Sequence, residues 1–133
     1  MKIRIDANSL GRTFPEGLYK ANFTGRKVST SSKGNPQMSL ELTITSNAPD
    51  GSADTVGRKL FDNITFTEES LWKANLVFNM VTGQDLPENE YAPDELFDLI
   101  WNSVQNKGVM LELVVDVYEG QKRMKISKYH PSA

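Results

Sequence analysis

The sequence contains no cysteine and a single histidine. Without thiols there is neither a disulfide framework nor a thiolate metal site. The one histidine, His130, sits in the terminal KYHPSA, where chain ends fray, and reads as a solvated tail residue. No run reaches the roughly 18 apolar residues that a membrane span takes. The opening MKIRIDANSL lacks the apolar stretch of a secretory signal, so a cytoplasmic protein is expected. Gly-x-Ser-x-Gly, phosphate-loop and His-Glu-x-x-His patterns are also missing. The carboxylate pairs Glu68-Glu69 and Asp94-Glu95 fall at expected helix starts, where the helix dipole accounts for them. A two-metal nuclease needs carboxylates converging from strands, and Asp62, Glu112 and Asp116 are the thin candidates, with no supporting spacing. No catalytic residue, metal or cofactor is therefore expected.

What is present is an uneven distribution of charge. The net charge of −2 argues weakly against a nucleic-acid partner. Yet residues 1–34 carry seven Lys/Arg against Asp6 and Glu16, and residues 107–133 carry five against three carboxylates. Between them, over residues 63–106, Lys73 alone faces eight carboxylates. Two basic arms flank an acidic middle, and the local field governs partner choice more than the net charge does. At 133 residues the chain suits one domain with its own core, here about residues 14–128 within 1–133, between a short N-terminal arm and a C-terminal tail.

Period-2 alternation predicts strands over 17–28 (Tyr19, Ala21 and Phe23 inward), 37–46 (Met38, Leu40, Leu42 and Ile44 inward) and 58–66 (Leu60, Ile64 and Phe66 inward, Phe61 outward). The period then becomes helical. Thr67 with Glu68 and Glu69 reads as a helix start, Leu71, Ala74, Phe78 and Val81 as its buried stripe, and Gly83 as its stop. A second helix follows over PDELFDLIWNSVQNK, with Pro93 in its first turn and Leu96, Ile100 and Val104 as its stripe. VMLELVVDVYE, with Leu111, Leu113, Val115 and Val117 inward, turns at Gly120-Gln121 into a last strand, KRMKISKY. The order β-β-β-α-α-β-β is that of a mainly β protein. Five antiparallel strands with helices between the third and fourth fit an OB-like barrel, and a plain α+β sheet fits almost as well.

The basic residues cluster at glycine corners: Gly25-Arg26-Lys27, Gly57-Arg58-Lys59 and Gly120-Gln121-Lys122-Arg123. Edge strands commonly carry Lys and Arg to block edge pairing. Three such corners on one small domain also have the composition of a phosphate-binding groove, with cations in a row and glycines that let a backbone approach. Lys20 on the first strand and Lys125 on the last extend that charge. The loop from Ser29 to Pro36 adds Lys33, in the run SSKGNPQMSLELTIT, and would border the groove with Arg26 and Lys27. Bases stack on exposed rings, and Phe61, Tyr118 and Tyr129 are the candidate platforms. Trp72 and Trp101 sit in helical stripes beside acidic residues and read as packing.

The stretches PEGLYKANFTGRKVSTSSKGNPQMSLELTIT, GRKLFDNITF and ESLWKANLVFNMVTG, covering roughly residues 14–128, resemble a family of bacteriophage proteins. The likeness rests on Lys33-Gly34-Asn35, on the strand start Gly57-Arg58-Lys59-Leu60, and on the Leu71-Trp72 helix. It implies an OB-fold that binds single-stranded DNA in phage replication or recombination. Bacterial single-strand binders usually end in an acidic tail with a terminal aromatic, whereas this chain ends Lys128-Tyr129-His130-Pro131-Ser132-Ala133. The resemblance therefore does not extend to partner recruitment through such a tail. The expectation is a non-enzymatic, sequence-tolerant single-strand binder in the cytoplasm of an infected bacterium. Replication or recombination proteins and a second copy of the chain are the further partners it allows. The alternative is a protein-interaction module, a virion component or an inhibitor of a host enzyme, that works through its acidic helices.

Overall fold

Alternating apolar residues make a strand only when a partner can cover their face, and here every alternating stretch finds one. The computed structural model describes residues 2–3, 13–51 and 54–132. It has β1 (Gly17–Thr30), β2 (Pro36–Ile44), β3 (Lys59–Thr65), α1 (Leu71–Thr82), α2 (Pro93–Val104), β4 (Gly108–Tyr118) and β5 (Gln121–His130). The strands form one antiparallel five-stranded sheet in the order β3-β2-β1-β4-β5. The chain is thus mainly β, with both helices between the third and fourth strands, in the order its periodicity predicts. The expected N-terminal arm lies largely outside the described residues. Among the described residues no helix is long and apolar enough to cross a membrane.

The inner face of the sheet is a continuous apolar surface. Tyr19 and Phe23 from β1, Met38, Leu40, Leu42 and Ile44 from β2, Ile64 from β3, and Leu111 and Leu113 from β4 are fully buried. The helices cover it with Ala74 and Val77 from α1 and Phe97, Ile100 and Val104 from α2. Phe66, just after β3, meets Phe97 edge-on with ring centroids 4.7 Å apart, a favoured arrangement of aromatic quadrupoles.

Two β-bulges reset the alternation. Between Phe23 and Gly25 the β1 register shifts, so that Arg26 and Val28, rather than Gly25 and Lys27, stand opposite the inward residues Leu40 and Met38. On β5 the shift leaves Ser127 without a cross-strand partner: Lys128 pairs with Glu112, but Ile126 pairs with Leu113. Each extra residue moves everything beyond it to the other face.

Several local expectations are corrected. Thr67 does not cap α1; residues 67–70 form a turn closed by Leu71 N–H to the Thr67 carbonyl at 3.0 Å, and the helix begins after Ser70. Glu68 and Glu69 therefore precede the helix instead of lining its first turn. Gly83 does end it, in the left-handed region at φ 75°, with its N–H on the Asn79 carbonyl, and Pro93 does open α2. That second helix stops at Val104, earlier than its pattern suggests, and Asn106 turns the chain at φ 59°. The last hairpin turns at Glu119-Gly120, one residue early, with φ of 50° and 78°, as a type I′ turn requires of both central residues. Val115 and Val117 keep the inward register but lie exposed, Val117 at 61%, because this end of the hairpin runs past the core. His130 is no frayed tail residue: it is the last residue of β5, paired with Met110.

The edges of the sheet approach one another without a backbone ladder between them. Tyr129 of β5 donates its hydroxyl to Asp62 Oδ2 of β3 at 2.5 Å. Lys73 of α1 binds Asp62 Oδ1 at 2.6 Å and the Asn63 carbonyl at 3.1 Å. Sheet twist brings β3 and β5 within side-chain reach of each other, and this three-residue bridge spans the seam between them.

Candidate nucleic-acid interface

On β3 the period-2 pattern turns Leu60 and Ile64 toward the core and Lys59, Phe61 and Asn63 outward. Phe61 is 67% exposed, as the alternation predicts. Across the seam, Arg123 and Lys125 of β5 are exposed while Met124 and Ile126 are half-buried. A cavity of about 370 Å³ lies between the edges, lined by Phe61, Asn63, Lys73, Arg123 and Lys125 among others. Beyond the Lys73–Asp62 bridge is a second cavity, of about 450 Å³, lined by Trp72, Leu76, Ile126, Ser127, Lys128 and Tyr129 around the same bridge. Asp62, Lys73 and Ile126 line both, so the two form adjoining parts of one seam.

The charges on the two edge strands differ in how they are engaged, and of them Lys59 and Lys122 line neither cavity. Lys59 is 3.5 Å from Glu41, a carboxylate that also accepts a hydrogen bond from Thr24 Oγ1 at 2.8 Å. Arg123 lies 3.9 Å from Asp116. Both pairs are solvent-exposed, and such pairs hold their partners weakly, at about 0–1 kcal/mol. Lys122, Lys125 and Lys128 have no ion pair among the described residues. Lys73 is different: with a less exposed carboxylate on one side and a carbonyl on the other, it is a structural cation.

The remaining expected residues lie away from the seam. Lys20 is exposed on the outer face of β1, two strands in from β3. Arg26, turned inward by the bulge, hydrogen-bonds Asp98 Oδ1 at 2.8 Å and ties β1 to α2. Lys27 opposite Ser39 stays on the outer face. The Ser29–Pro36 segment is a tight turn: Gly34 N–H reaches the Ser31 carbonyl at 2.9 Å, Ser31 N–H the Asn35 carbonyl at 2.8 Å, and Gly34 sits at φ 84°. Lys33 is exposed at its tip and lines neither cavity of the seam. Arg58 lays its guanidinium over the Phe14 ring, 4.8 Å from the centroid, a cation–π contact that covers the core. The side chain of Tyr118 lies outside the described residues.

Tyr129 is not a platform. The Ser127 bulge turns it inward, and at 7% exposure it presents too little ring surface for a base to stack on. Burial, then the Asp62 charge, then the hydrogen bond to it raise its hydroxyl well above the ordinary tyrosine pKa, so the phenol stays protonated and serves as donor to the bridge. The reverse correction applies to Trp72, which reads as packing but is 66% exposed and faces the larger cavity. The signal was in the sequence: Trp72 is two residues before Ala74 and five before Val77, roughly 200° and 140° around the helix from the buried stripe. Trp101 is half-buried against the core.

The three carboxylates weighed for metal chemistry do not converge. Asp62 faces inward in the bridge, whereas Glu112 and Asp116 lie on the outer face of β4, Glu112 3.8 Å from His130 and Asp116 beside Arg123. Among the described residues no group of His, Cys, Asp and Glu is arranged to hold a metal ion. No protein-family model matches the chain, and no curated protein matches it.

Proposed function

We propose that this protein binds single-stranded DNA without reading its sequence, as a non-enzymatic strand-coating protein of phage replication or recombination. The observation that carries the reading is Phe61: a large apolar ring, two-thirds exposed, over a cavity whose rim also holds Arg123 and Lys125. A stacking ring beside cations is the pairing that sequence-tolerant single-strand binding requires. The sheet order, with helices between the third and fourth strands, supports reading the domain as a partly open OB-like barrel whose seam lies between β3 and β5. The phage attribution rests on the resemblance of residues 14–128, and with it go the cytoplasm of an infected cell, replication or recombination proteins as partners, and self-association. Lysines on an edge strand also keep it from pairing with other edges, a role compatible with binding.

A second reading has its own support. The link between the helices is held to α1 by Asn75, which donates to Asp85 at 3.2 Å and accepts from Leu86 N–H at 2.8 Å. There Leu71, Leu86, Pro87 and Tyr91 line a cavity of about 360 Å³ rimmed by Asp85 and Glu88. A protein-interaction module would use this acidic, partly apolar face.

Anisotropy of a labelled oligo-dT across a salt series separates the two. Single-strand binding predicts a log–log slope of about −0.7 per contacted phosphate. No binding at low salt, a flat salt response, or equal preference for duplex would reject the proposal.

A further inference from the structure

We infer that the cavity beside Trp72 is a second base subsite, which takes one unstacked nucleobase of a strand whose neighbouring part stacks on Phe61; this rests on the single-strand reading above. Trp72 is 66% exposed, more than any other large apolar residue of α1, whose Ala74, Val77 and Phe78 are buried. The cavity it faces has the walls a flat heterocycle needs. The indole offers a π face, and Leu76 and Ile126 give apolar sides. At about 450 Å³ it falls in the range of small-molecule sites.

The polar groups at this cavity suit a base and its phosphate. Ser127 is the bulged residue of β5, without a cross-strand partner, and its hydroxyl makes no hydrogen bond among the described residues. It lies on an edge strand, where outward N–H and C=O groups have no ladder to satisfy. These are donors and acceptors for the edge of a base. The next residue, Lys128, is exposed and without an ion pair, within reach of a backbone phosphate. Asp62, the one carboxylate in the lining, is engaged by both Lys73 and Tyr129 and does not repel an anion as a bare carboxylate would. The occupant that matches is an anionic chain of flat rings. The adjoining Phe61 cavity, sharing Asp62, Lys73 and Ile126, lets one strand occupy both.

The chain has two tryptophans, so Trp101→Phe leaves Trp72 as the sole indole reporter. Labelled oligo-dT is titrated into this variant at low salt, with dye anisotropy and tryptophan emission recorded together. The expected result is saturable quenching of Trp72 with the same midpoint as the anisotropy. An oligonucleotide of equal length with abasic residues should bind through its phosphates and leave Trp72 unquenched. Independently, Trp72→Ala in the otherwise unaltered chain should weaken oligo-dT binding about 5- to 150-fold, the equivalent of about 1–3 kcal/mol for one stacked base, without changing the salt slope. Trp72→Phe should recover most of the loss. Circular dichroism and urea midpoints establish that each variant is folded. Oligo-dT that binds while Trp72 emission stays constant, equal quenching by the abasic strand, or unaltered affinity of Trp72→Ala would overturn the subsite and leave the single-strand reading standing. Absence of any anisotropy change would instead remove that reading, and the subsite with it.

Discussion

Phe61→Ala separates stacking from both charge and stability. A fully buried aromatic ring removes about 150–250 Å² from water. Phe61 is 67% exposed, so only about a third of that area, roughly 50–80 Å², is lost to the fold. At about 25 cal/mol per Å² this is about 1–2 kcal/mol, an upper bound because alanine keeps part of the packing. Phe66, half-buried and edge-on to Phe97, provides the contrast: Phe66→Ala should cost about 3 kcal/mol, the lower end for truncating a core phenylalanine. Affinity should respond in the opposite order. Phe61→Ala should lose about 1–3 kcal/mol of oligo-dT binding, or about 5- to 150-fold, with an unchanged salt slope because every cation still holds its phosphate. Urea unfolding gives the stabilities, and anisotropy at three or more salt concentrations gives the affinities and slopes. A folded Phe61→Ala protein that binds oligo-dT as tightly as the parent would refute the stacking role. A slope that fell with the affinity would show that the ring positions the cations instead.

Tyr129→Phe removes one hydrogen bond to the Asp62 carboxylate while leaving Lys73 in place; urea unfolding should show a loss of about 1.5–3 kcal/mol, and an unchanged midpoint would mean the seam is not held there. The same phenol sets an alkaline limit. Its folded pKa lies above its unfolded value near 10, so its contribution is fully present below about pH 10 and is lost as pH rises toward the folded pKa, at about 1.4 kcal/mol per pH unit while only the unfolded form ionises. Tyr19, raised by burial and then by Asp50, acts in the same direction. Tyr129→Phe should therefore flatten a urea-midpoint profile measured from pH 9 upward, and an equally steep profile in the variant would assign the loss elsewhere. Changing Lys122 and Lys125 to Glu should weaken oligo-dT binding and make the salt slope shallower, by about 0.7 for each phosphate no longer neutralised, whereas changing Glu88 and Glu90 to Lys should leave binding intact or improve it. The reverse pattern would move the working face to the acidic link.

The sequence by itself determined the elements and most of their faces. Tyr19, Ala21 and Phe23, the β2 alternation, and Leu60 and Ile64 against Phe61 are period-2 signals strong enough to read without partners, because one register alone buries the apolar set. Gly83 and Pro93 marked helix ends because few other residues suit a left-handed C-cap or a first helical turn. The tertiary structure decided the rest. Gly25 is the one compositional mark of the β1 bulge and the β5 bulge at Ser127 has none, so the faces of Arg26 and Tyr129 were settled only once a partner strand set the count. Thr67 is a good cap on paper, but a hydrogen-bonded turn over 67–70 moves the helix start beyond Ser70, which makes no side-chain capping hydrogen bond of its own. The seam is the clearest case. Asp62 lies 11 residues from Lys73 and 67 from Tyr129, and no local pattern joins them. They meet because a twisted five-stranded sheet brings its two edge strands together, and coiling over that distance is a property of the assembled sheet.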